Sequence, residues 1–132
     1  MTDMQQYRKS NHSVSMVNYH LVWTPKRRKK LLIGDVEKRL RDIIWEVCQE
    51  KEWVVIALEI MPDHVHLFVN TPPKVAAHQV VKAIKGRSSR LLRQEFPILL
   101  KLPSLWTHSY FVSTALDVSN TTVRRYIENQ KK

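Results

Sequence analysis

Cysteine is nearly absent from this chain of 132 residues, which contains one, Cys48. A single cysteine cannot form an intramolecular disulfide, and it has no second thiolate with which to build a zinc finger. Glycine is also scarce, so the chain is neither collagen-like nor a glycine-rich disordered segment. No apolar run reaches the ~18 residues of a membrane-spanning helix, and the polar N-terminus lacks the apolar segment of a signal peptide. We therefore expect a folded protein of the cytoplasm.

Acidic residues are outnumbered by basic ones. The 12 Asp and Glu stand against 22 Lys and Arg, which gives a net charge of +10 at pH 7. A positive field of this size on a small protein favours a polyanionic partner such as nucleic acid. A basic surface that only keeps the protein soluble is the alternative at this point.

The apolar pattern predicts seven secondary-structure elements. Helices are predicted from Ile33 to about Glu50 and from Val75 to about Phe96, because apolar residues recur there every three or four positions. Ser119 or Asn120 can cap a last helix. Runs rich in β-branched and aromatic residues predict four strands, at 16–24, 53–60, 64–69 and 109–118.

The order of these elements predicts an α+β fold. The first six, β-α-β-β-α-β, are those of a ferredoxin-like (RRM-like) antiparallel sheet with the strands in spatial order 4-1-3-2. The length fits one domain, which we take as residues 1–132. It would begin with an N-terminal arm at about 1–15 and end with an extra C-terminal helix at about 119–132.

Two histidines, His64 and His66, lie two residues apart on the third predicted strand. Alternate residues of a strand share a face, so both imidazoles point away from the apolar face of Val65 and Leu67. Two such imidazoles can bind one metal ion. The alternative is a pair of strand histidines that binds no metal, because a motif of two histidines alone is too short to specify a metal site.

Glu59 and His20 are expected on the same face as the histidine pair. If Pro62 and Asp63 form a two-residue turn, Glu59 lies opposite His66. There it could orient His66 through a hydrogen bond, help to bind a cation, or remain a solvated carboxylate. His20 of the first strand would share this face and is a candidate for a supporting or substrate-contacting role.

The last predicted helix carries Tyr126 and Gln130, four residues apart and therefore on one side of the helix. Arg124 and Arg125 flank them. A nucleophile and a metal ligand could share such a side. A tyrosine that only packs its ring is the alternative, because a tyrosine with a pKa near 10 is usually structural.

Five segments carry a resemblance to a known family. They occur in one order along nearly the whole chain and are similar to the small single-tyrosine HUH transposases, the TnpA-type enzymes of insertion sequences that move as single-stranded DNA. The segments are YHLVWTPKRR (19–28), MPDHVHLFV (61–69), IKGRSSRLL (84–92), LWTHSYFVSTAL (105–116) and VRRYIENQ (123–130).

The resemblance implies a metal-dependent DNA strand transferase. It places a divalent cation, Mg²⁺ or Mn²⁺, on His64 and His66, with Gln130 as the third ligand and Tyr126 as the nucleophile. The expected product is a 5′-phosphotyrosine with a free 3′-OH, so strands can be rejoined without ATP. The family also implies DNA hairpins at element ends as substrates, and a homodimer in which the tyrosine helix of one subunit completes the metal site of the other.

Basic segments supply candidate phosphate contacts. These candidates are Lys26, Arg27, Arg28, Lys85, Arg87, Arg90, Arg124 and Arg125. Two other functions stay open. One is an RRM-like nucleic-acid-binding module without catalysis, for which only Phe68 is placed to stack on a base. The other is an HUH nuclease of replication or conjugation, which usually belongs to a larger protein.

Overall fold

The computed structural model describes residues 16–114 and 120–130. Their four strands form one antiparallel sheet in the order β2-β3-β1-β4, which confirms the predicted spatial order. The strands are β1 (Val17–Trp23), β2 (Val54–Met61), β3 (His64–Thr71) and β4 (Phe111–Ser113). The predicted arm at about 1–15 lies outside the described residues.

In the described part of the chain, three α-helices accompany the sheet: α1 (Gly34–Lys51), α2 (Ala77–Glu95) and α3 (Asn120–Asn129). Helix α2 ends just before Pro97, which lacks the backbone N–H needed to continue it. The predicted cap Ser119 lies outside the described residues. Among the helices of the described chain, none is long and apolar enough to cross a membrane.

Helices α1 and α2 cover one face of the sheet, and the main core lies between the two helices and that face. Ion pairs also join the two helices, from Arg39 to Glu95 and from Arg87 to Glu50. The strand residues of this core alternate along β1 and β3, as the period of a strand requires. They include Leu21, Trp23, Val65, Leu67 and Val69, all fully buried.

The hairpin register agrees with the two-residue turn predicted at Pro62 and Asp63. Met61 pairs with His64, and Glu59 pairs with His66. The histidine pair therefore lies on the face opposite the main core, as the sequence predicts.

Strand β4 is shorter than predicted. We expected 109–118, whereas the strand covers Phe111–Ser113, and residues 115–119 lie outside the described part of the chain. The Nζ of Lys85 donates to the carbonyl oxygens of Thr107, at 2.7 Å, and Ser109, at 2.9 Å. Because these carbonyls bond to a lysine of α2, the segment before Phe111 is a loop bound to that helix.

Helix α3 packs on the second face of the sheet. Val123 and Ile127, one turn apart, are buried against Val22 of β1, and Phe111 and Tyr126 pack around them. This small apolar contact lies over β1 and β4. The part of the face formed by β3 and β2, which carries the histidine pair, lies beside the helix.

Candidate active site

His64 and His66 face the same side of β3, with ring centroids 4.9 Å apart and planes at 70°. Both side chains are half-buried. Each ring has two nitrogens, and a metal ligand uses one of them while the other is fixed by a hydrogen bond. The partners of the Nδ1 atoms therefore decide which nitrogens are free.

Asp63 is the partner of His64. Its Oδ1 lies 2.8 Å from Nδ1 of His64, and its Oδ2 forms an ion pair with Nε of Arg28 at 3.3 Å. A carboxylate on Nδ1 keeps the proton there and leaves Nε2 available. From the sequence, Asp63 is expected only as a turn residue, although its place next to His64 is a signal for such a contact.

His20 is the partner of His66. Its Nε2 lies 3.3 Å from Nδ1 of His66, and its ring stacks on Phe68 at a centroid distance of 4.3 Å. His20 is therefore on the predicted face, and it is buried. Glu59 pairs with His66 across the strands but is exposed, and the hydrogen bonds within the described residues include none between these two.

Burial keeps the imidazole of His66 uncharged. Its pKa is lowered to about 4, first by burial and then by repulsion from His64 and His20, while the carboxylate of Glu59 acts in the opposite direction. Burial lowers the pKa of His20 as well. At neutral pH His66 is therefore in the uncharged form that a metal ion requires.

Ser109 contacts both candidate residues of α3. Its Oγ lies 3.0 Å from Oη of Tyr126 and donates to Oε1 of Gln130, also at 3.0 Å. A hydroxyl has one proton, so once Ser109 donates to Gln130 it must accept the proton of Tyr126. Burial raises the pKa of Tyr126, and hydrogen bonding with Ser109 and Thr107 partly opposes that shift. The phenol is therefore protonated in this arrangement.

A cavity of about 280 Å³ lies between the histidine pair and α3. Successive residues of a helix are turned by 100°, so Arg124 and Glu128 face this cavity, whereas Tyr126 and Gln130 lie on the other side of α3, towards β4. Within one chain the structure thus brings together His64 and His66 but not the two α3 candidates. The lining consists of Arg28, Asp63, His64, His66, Val123, Arg124, Ile127 and Glu128.

The two imidazoles supply only part of the ligands that a divalent cation needs. His64 and His66 each have a protein partner on Nδ1, so the Nε2 atoms are the nitrogens that could bind a metal ion on this strand face. The described residues contain no group of three His, Cys, Asp or Glu side chains that could bind a metal. Two imidazoles would therefore need oxygen ligands from elsewhere, such as phosphate, water or an amide, which suits Mn²⁺ or Mg²⁺.

The candidate DNA contacts differ in their surroundings. Arg87 forms two hydrogen bonds with Glu50, at 2.7 and 2.8 Å, and Arg28 pairs with Asp63. Lys85 is bound to two carbonyls, and burial lowers its pKa to about 8. The side chain of Lys26 is half-buried. The remaining candidates, Arg27, Arg90, Arg124 and Arg125, are exposed.

Known relatives match nearly the whole chain. The family model described as "Transposase IS200 like" matches residues 13–130. The ISDra2 transposase TnpA of Deinococcus radiodurans is 34% identical over 128 residues, which cover 95% of this chain and 91% of that protein.

Two solved structures share the fold. A candidate transposase from Deinococcus radiodurans, solved by crystallography, has a TM-score of 0.85 and 36% identity, and the match covers 92% of this chain and 96% of that one. A REP-associated tyrosine transposase bound to a REP hairpin has a TM-score of 0.57 and 16% identity, covering 85% and 62%. At that identity the second match concerns the fold alone.

Proposed function

Because this chain belongs to the family of IS200-like transposases, we propose that it cleaves and rejoins single-stranded DNA with Tyr126 as the nucleophile. The observation that carries the proposal is the pair His64 and His66, whose imidazoles share one strand face beside the helix of Tyr126 and have protein partners on their Nδ1 atoms. Incubation with hairpin DNA labelled at its 3′ end, in the presence of Mg²⁺, should leave label covalently bound to the protein. DNA binding without any adduct would refute the enzymatic proposal.

The proposed chemistry is one transesterification and its reversal. Oη of Tyr126 bonds to phosphorus, the bond from phosphorus to the 3′ oxygen breaks, and a free 3′-OH leaves. A divalent cation bound by His64 and His66 would polarise the phosphate and stabilise the leaving oxygen. Arg124 lines the same cavity, is exposed and can neutralise phosphate charge. The phosphotyrosine keeps the energy of the phosphodiester, so a second 3′-OH can reverse the step.

A non-catalytic RRM-type role has less support. Such sheets bind bases through exposed aromatic rings. Phe68 is half-buried, and one of its ring faces is covered by His20. Little of the Phe68 ring is therefore accessible to a base, and Phe68 was the one aromatic residue predicted to stack on a base.

We place the active sites across a homodimer. Tyr126 and Gln130 lie towards β4, on the side of α3 that faces away from the histidine pair of their own chain. Strand β4 is an edge strand, and α3 contacts its own sheet mainly through Val22, Val123 and Ile127. These features support a tyrosine helix that serves the partner subunit, with Gln130 as its metal ligand there.

Loss of either histidine should strongly weaken metal binding at this site. We expect His64→Ala and His66→Ala each to weaken Mn²⁺ binding by at least about a hundredfold in calorimetry with DNA present, because each removes one of two imidazole ligands. His78→Ala is the matched control, since His78 is an exposed histidine of α2. Unchanged affinity in both site variants would refute the ligand assignment.

Binding of hairpin DNA should weaken with salt, and Arg90 should contribute more to this than Arg87. Each lost phosphate contact lowers the log-log salt slope by about 0.7 on single strands and about 0.9 on duplex. We expect this change for Arg90→Gln, because Arg90 is exposed. Arg87→Gln removes the same charge from the same helix, but its guanidinium is bonded to Glu50, so the slope should change little. Equal effects would mean that net charge alone governs binding.

A further inference from the structure

His20 occupies an unusual position for an imidazole. It lies on β1, a central strand, and is 6% exposed. Its ring stacks on Phe68 and on His66, with centroids 4.3 and 5.5 Å away, and meets Phe111 edge-on. An apolar ring would fill this space without burying polar atoms.

The two nitrogens of His20 have different surroundings. Nε2 lies 3.3 Å from Nδ1 of His66. Nδ1 is buried and has no hydrogen-bond partner within the described part of the chain. Burying an unpaired ring nitrogen costs stability, so the packing alone does not account for a histidine here.

In the hydrogen bond between His20 and His66, either ring can be the donor. If His20 donates, the single proton of neutral His66 is on Nε2, and that atom cannot bind a metal. If His20 accepts, the proton of His66 is on Nδ1 and Nε2 is free. Only the second direction suits the proposed function, in which His66 binds a cation through Nε2.

We propose that His20 is a positioning residue, which accepts the Nδ1–H of His66 and so keeps Nε2 of His66 free for a divalent cation. The role given to His20 rests on the proposed function, whereas its contacts with His66 and Phe68 do not. Asp63 does the same for His64 through a carboxylate. The two ligands are thus oriented by different chemistry, one from the adjacent residue and one from the neighbouring strand.

A pair of substitutions separates positioning from packing. His20→Phe keeps an aromatic ring against Phe68 but removes the acceptor, whereas the amide oxygen of His20→Gln can replace Nε2 as an acceptor. We expect Mn²⁺ affinity of the protein without DNA, measured by electron paramagnetic resonance, to fall about ten- to hundredfold in His20→Phe. In His20→Gln it should stay within about threefold of the original, as expected when the acceptor is retained. A packing role predicts the reverse order, because phenylalanine fills the space better, and that order would overturn the proposal.

The proton position can also be read directly. In the unsubstituted protein, ¹⁵N spectra of the histidine rings should show His66 with its proton on Nδ1. A proton on Nε2 of His66 would overturn the proposal, whatever the variants do. The two proposals can fail separately. If the original protein and His66→Ala bind Mn²⁺ with equal affinity, the metal site is refuted. The ¹⁵N spectra would still show which nitrogen of His66 carries the proton, and therefore whether His20 accepts it.

Discussion

Tyr126→Phe should reduce covalent attachment of DNA by at least about a thousandfold, because it removes the hydroxyl that forms the bond to phosphorus. Hairpin binding should be nearly unchanged. The ring that packs beside Phe111 remains, and the lost contact with Ser109 is one hydrogen bond, worth about 0.5–1.5 kcal/mol. The measurement is the yield of protein-linked DNA on a denaturing gel, together with hairpin affinity.

Tyr110→Phe is the matched control for this experiment. Tyr110 lies on the loop before β4 and packs against the main core, so its variant should form the adduct normally. An adduct that persists in Tyr126→Phe but disappears in Tyr110→Phe would move the nucleophile to Tyr110. An adduct that persists in both would assign it to another hydroxyl.

Mixing Tyr126→Phe chains with His64→Ala chains should restore cleavage that neither variant shows alone. If the tyrosine of one subunit serves the histidine pair of the other, each heterodimer has one complete site. In an equimolar mixture, random exchange makes half of the dimers heterodimers, and each heterodimer has one complete site out of two. The adduct should therefore reach about a quarter of the level of the unsubstituted protein. The readout is adduct yield after the two variants have been co-refolded, with heterodimers confirmed by mass spectrometry.

The control mixture pairs His64→Ala with a chain that carries both substitutions. No dimer in that mixture has a complete site under either arrangement, so no adduct should form. In the first mixture, confirmed heterodimers without adduct would contradict the shared site. Tyr126 would then serve His64 and His66 of its own subunit, and α3 would have to turn its other side towards the cavity.

Sequence periodicity was sufficient for most of the fold. The spacing of apolar residues along the two long helices and the alternation on β3 depend on local geometry, which each segment carries in its own side chains. The two-residue turn at Pro62 and Asp63 then determined the pairing of Glu59 with His66. Alternation along β1, together with the predicted strand order, likewise predicts that His20 lies on the histidine face.

The extent of β4 could not be predicted in this way. The run 109–118 has strand composition throughout, but Lys85, more than twenty residues earlier, bonds to the carbonyls of Thr107 and Ser109. No local pattern encodes a hydrogen bond between a helix lysine and a distant loop. The composition therefore indicated a strand that begins at residue 109, whereas the strand begins at Phe111.

The sequence by itself determined which residues can do chemistry: two histidines on one strand face, and a tyrosine and a glutamine on one side of a last helix. Tertiary structure decided how they are arranged. It placed His20 and Asp63 on the Nδ1 atoms of the histidines, paired Arg87 with Glu50, and turned Tyr126 towards Ser109. The physical reason is range, because strand and helix periods act within a few residues, whereas hydrogen-bond partners are chosen among groups that only folding brings together.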